Sequence, residues 1–403
     1  MTLSEFLIHH TLTPAQIPEE TCLKDLLDHM HLGLKGEGNL PMLPSYLSAA
    51  TPRPQNTRCC VLDAGGTNLR SACADFDEQG RCTIHIITRT SMPGTAGPLS
   101  AEQFYNAIAH AARNAATTRQ LGFCFSYNVQ MNRQLDGELI AWCKEVHVPE
   151  AVGMRVGASL QKALGDCCDS VHVLNDSVAA MLGAATPEQP VQVGIILGTG
   201  INVCYEESCA AIPKVESDLK GSSMIISTEV GEFDGFPKSE FDLAHFAATE
   251  DPALAHAEKQ CAGGYLGDLI CRVWQAAARE GILDASFRDL QVTLPEISNL
   301  LEGSSTALPH SPAAETIART LIHRAAKIAA ILCAGPVIRC TSPGGHVNIA
   351  VEGSQYEKLQ GFREHFRQEL EALLSRRHIT FTMVQAENAC LKGAALAAFA
   401  EAM

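Results

Sequence analysis

The sequence predicts an α/β fold of two similar lobes around a central cleft, led by a helical N-terminal segment. Three observations predict it. From about residue 59 the apolar runs and amphipathic stretches read βββαβαβα. Beyond about residue 191 the same order returns with extra helices. Each half opens with a strand, a glycine-rich turn and a returning strand, the turns lying at 63–68 and 198–202. The length agrees, because 403 residues amount to two or three domains at roughly 150 residues each. With 46% hydrophobic and 19% charged residues, the chain can bury a large core and is not expected to be disordered.

Residues 1–57 begin helical and become rich in Pro and Thr; the Thr-Pro-Ala-Gln run from Thr13 caps a short helix, and 48–52 is a loop. Three strands follow from Cys59, joined by turns at 65–68 and 77–80. Ser100 and Gln103 form a capping box that opens an Ala-rich helix to about Thr117. A buried strand at 121–127, a helix at 150–164, a strand at 171–176 and a small-residue helix complete the first half. After a turn-rich break at 183–190 come a strand–turn–strand pair over 191–207 and a third strand at 224–230. Helices are expected at 238–249, 254–281 and 312–333, a strand and loop at 337–345, a helix at 355–375, a strand at 378–384 and a last helix at 389–402. The expected division is an N-terminal helical segment packing on the large lobe (1–57), a small lobe (58–176), a large lobe with helical insertions (177–390) and a C-terminal helix returning to the small lobe (391–403).

Lys and Arg number 30 against 45 Asp and Glu, a net charge of −15. A polyanion gains no counterion release from phosphates, so nucleic acid and anionic membrane surfaces are poor partners. No apolar run approaches the roughly 20 residues that span a bilayer. The first ten residues hold no basic start and no apolar stretch, so no secretory leader is expected. The 16 cysteines include the vicinal pairs Cys59-Cys60 and Cys167-Cys168 but no C-x-x-C spacing. Most fall inside apolar runs, which reads as reduced, buried small hydrophobes of a cytoplasmic protein rather than zinc ligands or a disulfide framework.

The paired turns carry the first chemical signal. Glycines let backbone N–H groups approach an anion with no Cβ in the way. The first turn offers Gly65, Gly66, Thr67 and Asn68, and the second Gly198, Thr199 and Gly200. One such turn is an ordinary hairpin, and neither matches a Walker A or dinucleotide fingerprint. Two at the same place in matching halves would clamp one polyphosphate from both sides. Asp63, ending its strand, is placed to hold a hydrated Mg²⁺. A third loop at 351–355 brings Gly353 and Ser354 to a helix start, where a phosphate is welcome.

At these residues a resemblance becomes specific. DAGGTNLR (63–70), FSYNVQMNRQLDGELIAWCKEV (125–146), LNDSVA (174–179), LGTGINVCY (197–205), STEVGEF (227–233) and EKQCAGGYLGDL (258–269) resemble the signature blocks of the hexokinase family, in its order and spacing. MLPSYL (42–47) resembles a further block, and the likeness runs from about residue 24 through nearly the whole chain. The family belongs to the actin-like ATPase superfamily, whose two ribonuclease-H-like domains agree with the element order above.

The resemblance implies transfer of the γ-phosphoryl group of Mg-ATP to the 6-hydroxyl of a hexose, glucose first, as the opening step of glycolysis. Asp176 falls where the family carries its general base; on residues alone, an Asn-Asp pair ahead of a helix reads as a helix cap. A sugar hydroxyl is a poor nucleophile and gains from a carboxylate that accepts its proton as the phosphoryl group arrives. Lys144 falls where a lysine meets the sugar and the transferring phosphoryl group. Ser126, Cys143, Asn175, Asn202, Glu229 and Glu258 are the other implied sugar contacts. The nucleotide would be held by Asp63, Gly65, Gly66, Thr67, Asn68 and Arg70 from one lobe, and by Gly198, Thr199, Gly200, Gly353 and Ser354 from the other.

The sequence departs from the family's pattern at Asn128 (usually Pro), Cys143 (Thr), Ser227 (Asn), Val230 (Trp) and Gly264 (Lys). A thiol donates more weakly than a hydroxyl, so weaker sugar binding is expected. Two other readings use the same fold. A sugar-binding regulatory protein with weak catalysis leaves Asp176, Lys144 and Asp63 without a purpose. A nucleotide-driven ATPase like actin leaves Glu229, Glu258 and the 125–146 block unexplained. Glucose, mannose and fructose share the relevant hydroxyls, and monomer and homodimer both stay open.

Overall fold

The computed structural model describes all residues except 67, 116–117, 143–145, 216–218, 220–222, 305–309 and 402–403. The N-terminal segment holds α1 (Leu3–His9), a 3₁₀ turn at Pro14–Gln16, α2 (Glu19–Leu34) and the short strand β1 (Leu43–Pro44). Thr2 and Glu5 close a reciprocal capping box on α1. Strands β2 (Thr57–Ala64), β3 (Asn68–Phe76) and β4 (Cys82–Ser91) follow, then α3 (Ala101–Ala115), β5 (Gln120–Phe125), the hairpin β6 (Asn128–Met131) and β7 (Gly137–Ala141), α4 (Val156–Leu164), β8 (Ser170–Leu174) and α5 (Asp176–Ala184). Ser100 and Gln103 bond each other's backbone N–H at the start of α3, as their spacing predicts.

The second half runs β9 (Val193–Leu197), β10 (Ile201–Ser208), β11 (Ser223–Ser227), α6 (Glu240–Ala247), α7 (His256–Cys261), α8 (Gly263–Arg279), α9 (Leu294–Leu301), α10 (Pro312–Cys340), β12 (His346–Glu352), α11 (Ser354–Lys358), α12 (Phe362–Ser375), β13 (Thr380–Val384) and α13 (Ala389–Ala397). The small sheet has the order β4-β3-β2-β5-β8, and the large sheet the order β1-β11-β10-β9-β12-β13. In each, three antiparallel strands are extended by two parallel ones. Apart from β1, the two sheets share one topology, so the duplication of element order is a duplication of architecture.

Side-chain alternation along β2 shows how the small sheet is covered. Cys59 and Val61 join the core built with α5 and α13, whereas Cys60, Leu62 and Ala64 face the core of α3 and α4. The vicinal cysteines therefore point to opposite faces, and burial pushes the Cys60 thiol up to about 12. All 15 described cysteines are unbridged, and most are buried.

Helices α5 and α13 pack together, backbone against backbone, in a core that draws on strands of both sheets. A Cβ on Gly183 would overlap the Ala389 carbonyl, and one on Gly393 the Ala179 carbonyl. Gly122 on β5 meets the Ala394 carbonyl in the same way, so α13 lies directly on the small sheet.

Four element expectations need correction. The helix expected over 355–375 is broken into α11 and α12, because Leu359 is extended (ψ 119°) and Gly361 is left-handed (φ 81°). Residues 337–340 continue α10 rather than forming a strand, and the strand is the next segment, β12. Pro336 reads as a stop but lies inside α10, where Val337 is fully buried and packing carries the helix on. The helix expected over 254–281 breaks at Ala262, which is extended (φ −78°, ψ 153°), giving α7 and α8. Residues 150–155 are not α-helical, since α4 starts at Val156. Helix α10 is long and apolar enough to cross a membrane, but 83% of its most apolar window is buried inside this fold.

Candidate active site

Strand β2 delivers Asp63 to the first turn, where it faces Arg70 across the β2–β3 pair. Arg70 Nε donates to Asp63 Oδ2 at 2.6 Å, and the guanidinium also lies 3.6 Å from Glu352 Oε1 at the end of β12. Glu352 Oε2 accepts from the backbone N–H and thiol of Cys390 in the first turn of α13, both at 3.2 Å. Burial pushes the Glu352 carboxyl above its usual range. Cys390 Sγ in turn lies 3.6 Å from the carbonyl oxygen of Asp176. A continuous chain of polar contacts thus runs from the first turn, through the large lobe, to the start of α5.

At that start Asn175 is the helix cap, its Oδ1 accepting from Ser177 N–H at 2.8 Å. Asp176 occupies the first turn of the helix, its Oδ1 accepting from the same Ser177 N–H at 2.8 Å. Asn175 also meets Asn202 Nδ2 at 3.4 Å. Asn202 donates to Ser227 Oγ at 2.9 Å and to Glu229 Oε1 at 2.7 Å, and Ser227 Oγ donates to the same carboxylate oxygen at 2.8 Å. Glu229 holds a left-handed backbone conformation (φ 56°), fixed by its N–H bond to Asn202 Oδ1. A non-glycine residue there costs backbone energy, which the surrounding bonds offset. Burial raises the Glu229 carboxyl above its ordinary value.

The second turn is tied down by other glycines. Gly198 N–H donates to Gly200 O at 3.0 Å. Gly263 and Gly264, which open α8, donate to the Gly198 and Thr199 carbonyls at 2.8 and 3.0 Å. Those two helix-start N–H groups are consumed by the turn. The break at Ala262 orients α7 so that Glu258 Oε2 accepts from Ile201 N–H at 3.0 Å. Gly353 has φ +129° and packs so tightly on Leu197 that a Cβ would overlap its carbonyl, bringing Gly353 and Ser354 beside Gly198.

Of the residues singled out in the sequence, Asn175, Asn202 and Glu229 form one bonded cluster with Asp176 adjacent in the chain. Glu258 joins the second turn, and Gly198, Gly353 and Ser354 lie side by side. Asp63 and Arg70 pair with each other, while Ser126 extends the first turn, its N–H donating to Ala64 O at 3.2 Å. Gly65 N–H donates to Asn68 O at 3.0 Å, closing the turn around Gly66. Thr67, Cys143 and Lys144 lie outside the described residues. Sequence reasoning passed over Glu352, Cys390 and Tyr127; Glu352 and Tyr127 were within reach, as direct neighbours of Gly353 and Ser126.

Two family models, both described as hexokinase, match residues 2–186 and 192–400. The chain belongs to the hexokinase family. It is an ATP-dependent sugar kinase. Hexokinase-1 of Spinacia oleracea is 30% identical over 72% of this chain and 63% of its own length. Hexokinase-7 of Oryza sativa subsp. japonica is 28% identical over 86% and 85%, and hexokinase-1 of Saccharomyces cerevisiae 27% over 85% and 79%. The solved hexokinase of Schistosoma mansoni complexed with glucose shares the fold at a TM-score of 0.84 and 21% identity, over 98% of both chains. A ROK family glucokinase from Streptomyces griseus in complex with glucose and AMPPNP shares it more distantly, at a TM-score of 0.53 and 18% identity over 84% of this chain and 98% of its own. In this hexokinase, Arg70 links the β2–β3 pair to Glu352 at the end of β12, and Gly353 and Ser354, which follow, lie beside the second turn.

Proposed function

We propose that the chain transfers the γ-phosphoryl group of Mg-ATP to the 6-hydroxyl of a hexose, glucose first, giving hexose 6-phosphate and ADP in the cytoplasm. The carrying observation is the cluster of Asn175, Asn202, Ser227 and Glu229 around the helix start that presents Asp176. Asp176 takes the proton of the 6-hydroxyl as its oxygen bonds the γ-phosphorus and the bond to ADP breaks. Glu229 and Glu258 accept from other hydroxyls of the sugar, with Asn175, Asn202 and Ser126 beside them. Gly66 and Asn68 from one lobe, and Thr199 and Gly200 from the other, meet the phosphates. Mg²⁺ enters with ATP as substrate: among the described residues, no group of three His, Cys, Asp or Glu side chains could hold a metal alone. Asp63, engaged with Arg70, would meet the ion through its hydration shell.

The test is ADP release with Mg-ATP and glucose, mannose or fructose. Sugar-dependent release supports the kinase. Sugar binding without turnover would point to a regulatory protein, and sugar-independent hydrolysis to a nucleotide-driven ATPase.

Two further outcomes are expected. A Cβ at Gly200 would fall inside contact distance of Glu258 Oε2. Gly200→Ala therefore displaces a sugar-binding carboxylate, and the sugar KM should rise about tenfold, the loss of one charge-assisted hydrogen bond; an unchanged KM in steady-state assays would remove Glu258 from the sugar site. Glu229 gives the second. Its folded pKa lies above the ordinary 4.5 because burial disfavours the charge. The folded chain therefore binds this proton more tightly than the unfolded one, and the Glu229 contribution to stability falls as pH rises from 4.5 through the folded value. Sugar binding has the opposite sign, because hydroxyls donate best to the ionised form. On acidification from neutral pH the sugar KM should climb, whereas in Glu229→Gln it should be high and flat over the same range.

A further inference from the structure

Tyr127 follows the serine of the proposed sugar loop and is 2% exposed. Its ring packs edge-on against Trp142 at 5.1 Å between centroids, the residue from which the 143–145 segment continues. Its hydroxyl donates to the carbonyl oxygen of Gly65 at 2.8 Å. A buried phenol needs such a partner, yet the choice of acceptor has a consequence. Gly65 C=O and Gly66 N–H belong to one peptide plane, and no cis peptide bond is present. In a trans peptide these two groups point in opposite directions. Drawing the carbonyl toward the sugar loop therefore aims the Gly66 N–H away from it. With no Cβ on either glycine, this plane is the least restrained of the turn and the most able to flip.

We infer that the Tyr127 hydroxyl is a positioning group that locks the Gly65–Gly66 peptide plane, so that Gly66 N–H is held ready for the polyphosphate and the first glycine turn is coupled to the sugar loop. The inference rests on the proposed nucleotide role of that turn. The loop that carries this hydroxyl is also tied to the strand end leading into the turn, because Ser126 N–H is bonded to Ala64 O. Sugar that orders Ser126 thereby orders Tyr127 and, through it, an anion donor on the opposite side of the plane.

The test is Tyr127→Phe in the full chain, which keeps the ring and removes the oxygen. Binding of Mg·AMPPNP is titrated by calorimetry with and without saturating glucose, glucose binding is titrated alone, and thermal unfolding is recorded. The expected result is a roughly five- to tenfold weaker Kd for AMPPNP, the loss of one neutral hydrogen bond, and a smaller tightening of AMPPNP by glucose, with glucose Kd and Tm close to wild type. Unchanged AMPPNP binding under both conditions overturns the inference. So does a variant that fails to fold, or that loses sugar and nucleotide affinity together with a lowered Tm, since the hydroxyl would then serve stability only. A wild type that binds AMPPNP but phosphorylates no hexose sinks the proposed function and leaves this comparison decisive; a wild type that binds no AMPPNP sinks both.

Discussion

Asp176→Ala should lower kcat for hexose phosphorylation about a thousandfold, the central range for removing a positioned general base. The fold should survive, because the capping bond of α5 belongs to Asn175, whose Oδ1 holds the Ser177 N–H independently. What the substitution takes from stability is the second acceptor of that N–H, Asp176 Oδ1 at 2.8 Å, and the favourable place of a negative side chain at a helix start, the latter about 0.3–1 kcal/mol. Sugar KM should change little, since Asn175, Asn202, Ser227 and Glu229 keep their mutual bonds. Asp176→Asn should behave alike, because an amide cannot take the proton. Single-turnover measurement with saturating sugar and Mg-ATP reads the chemical step directly. A variant retaining more than about a tenth of wild-type kcat would remove Asp176 from the role of base.

Gly393→Val should destabilise the chain by about 3 kcal/mol or more, at or beyond the upper end of the usual cost of overpacking. Its Cβ would be driven into the Ala179 carbonyl, and backbone cannot swing aside as a side-chain tip does. Retreat of α5 would open the close fit of Gly183 against Ala389 and forfeit its packing. The comparison is Gly153→Ala, where φ is +82° but no atom lies within 4 Å of the new Cβ. That change should cost only the strain of a left-handed residue, about 1–2 kcal/mol. Denaturant titration of both variants separates the two, and equal losses would mean that the helix crossing is looser than its geometry states.

The strand order of both halves was legible because it rests on local signals. Turn glycines at 65–66 and 198–200, the Ser100–Gln103 box and the alternation of β2 each act within a few residues. Two of the boundary errors share one cause, tertiary packing and bonding overriding a local mark. Pro336 looks like an end and is carried through by a helix that is buried from Ile328 to Val337; Ala262 looks like helix and is pulled extended, with the glycines that follow bonding to the second turn. The cluster of Asn175, Asn202 and Glu229 needed positions far apart in sequence to be brought together, and only the family likeness suggested it. The contacts of Arg70 with Glu352 and of Cys390 with Asp176 carried no local signature, since each joins residues more than 200 positions apart. Tyr127 was hidden for a different reason, since nothing in a tyrosine code letter says which carbonyl its hydroxyl will find.

The lid that α13 forms over the small sheet has a consequence for how the chain is made. During synthesis β2 and β5 emerge long before α13, which packs on the face carrying Cys59, Val61 and Cys124. The small sheet is therefore completed only after α13 is made, and until that helix leaves the ribosome the sheet's apolar face is open to chaperones and to other nascent chains.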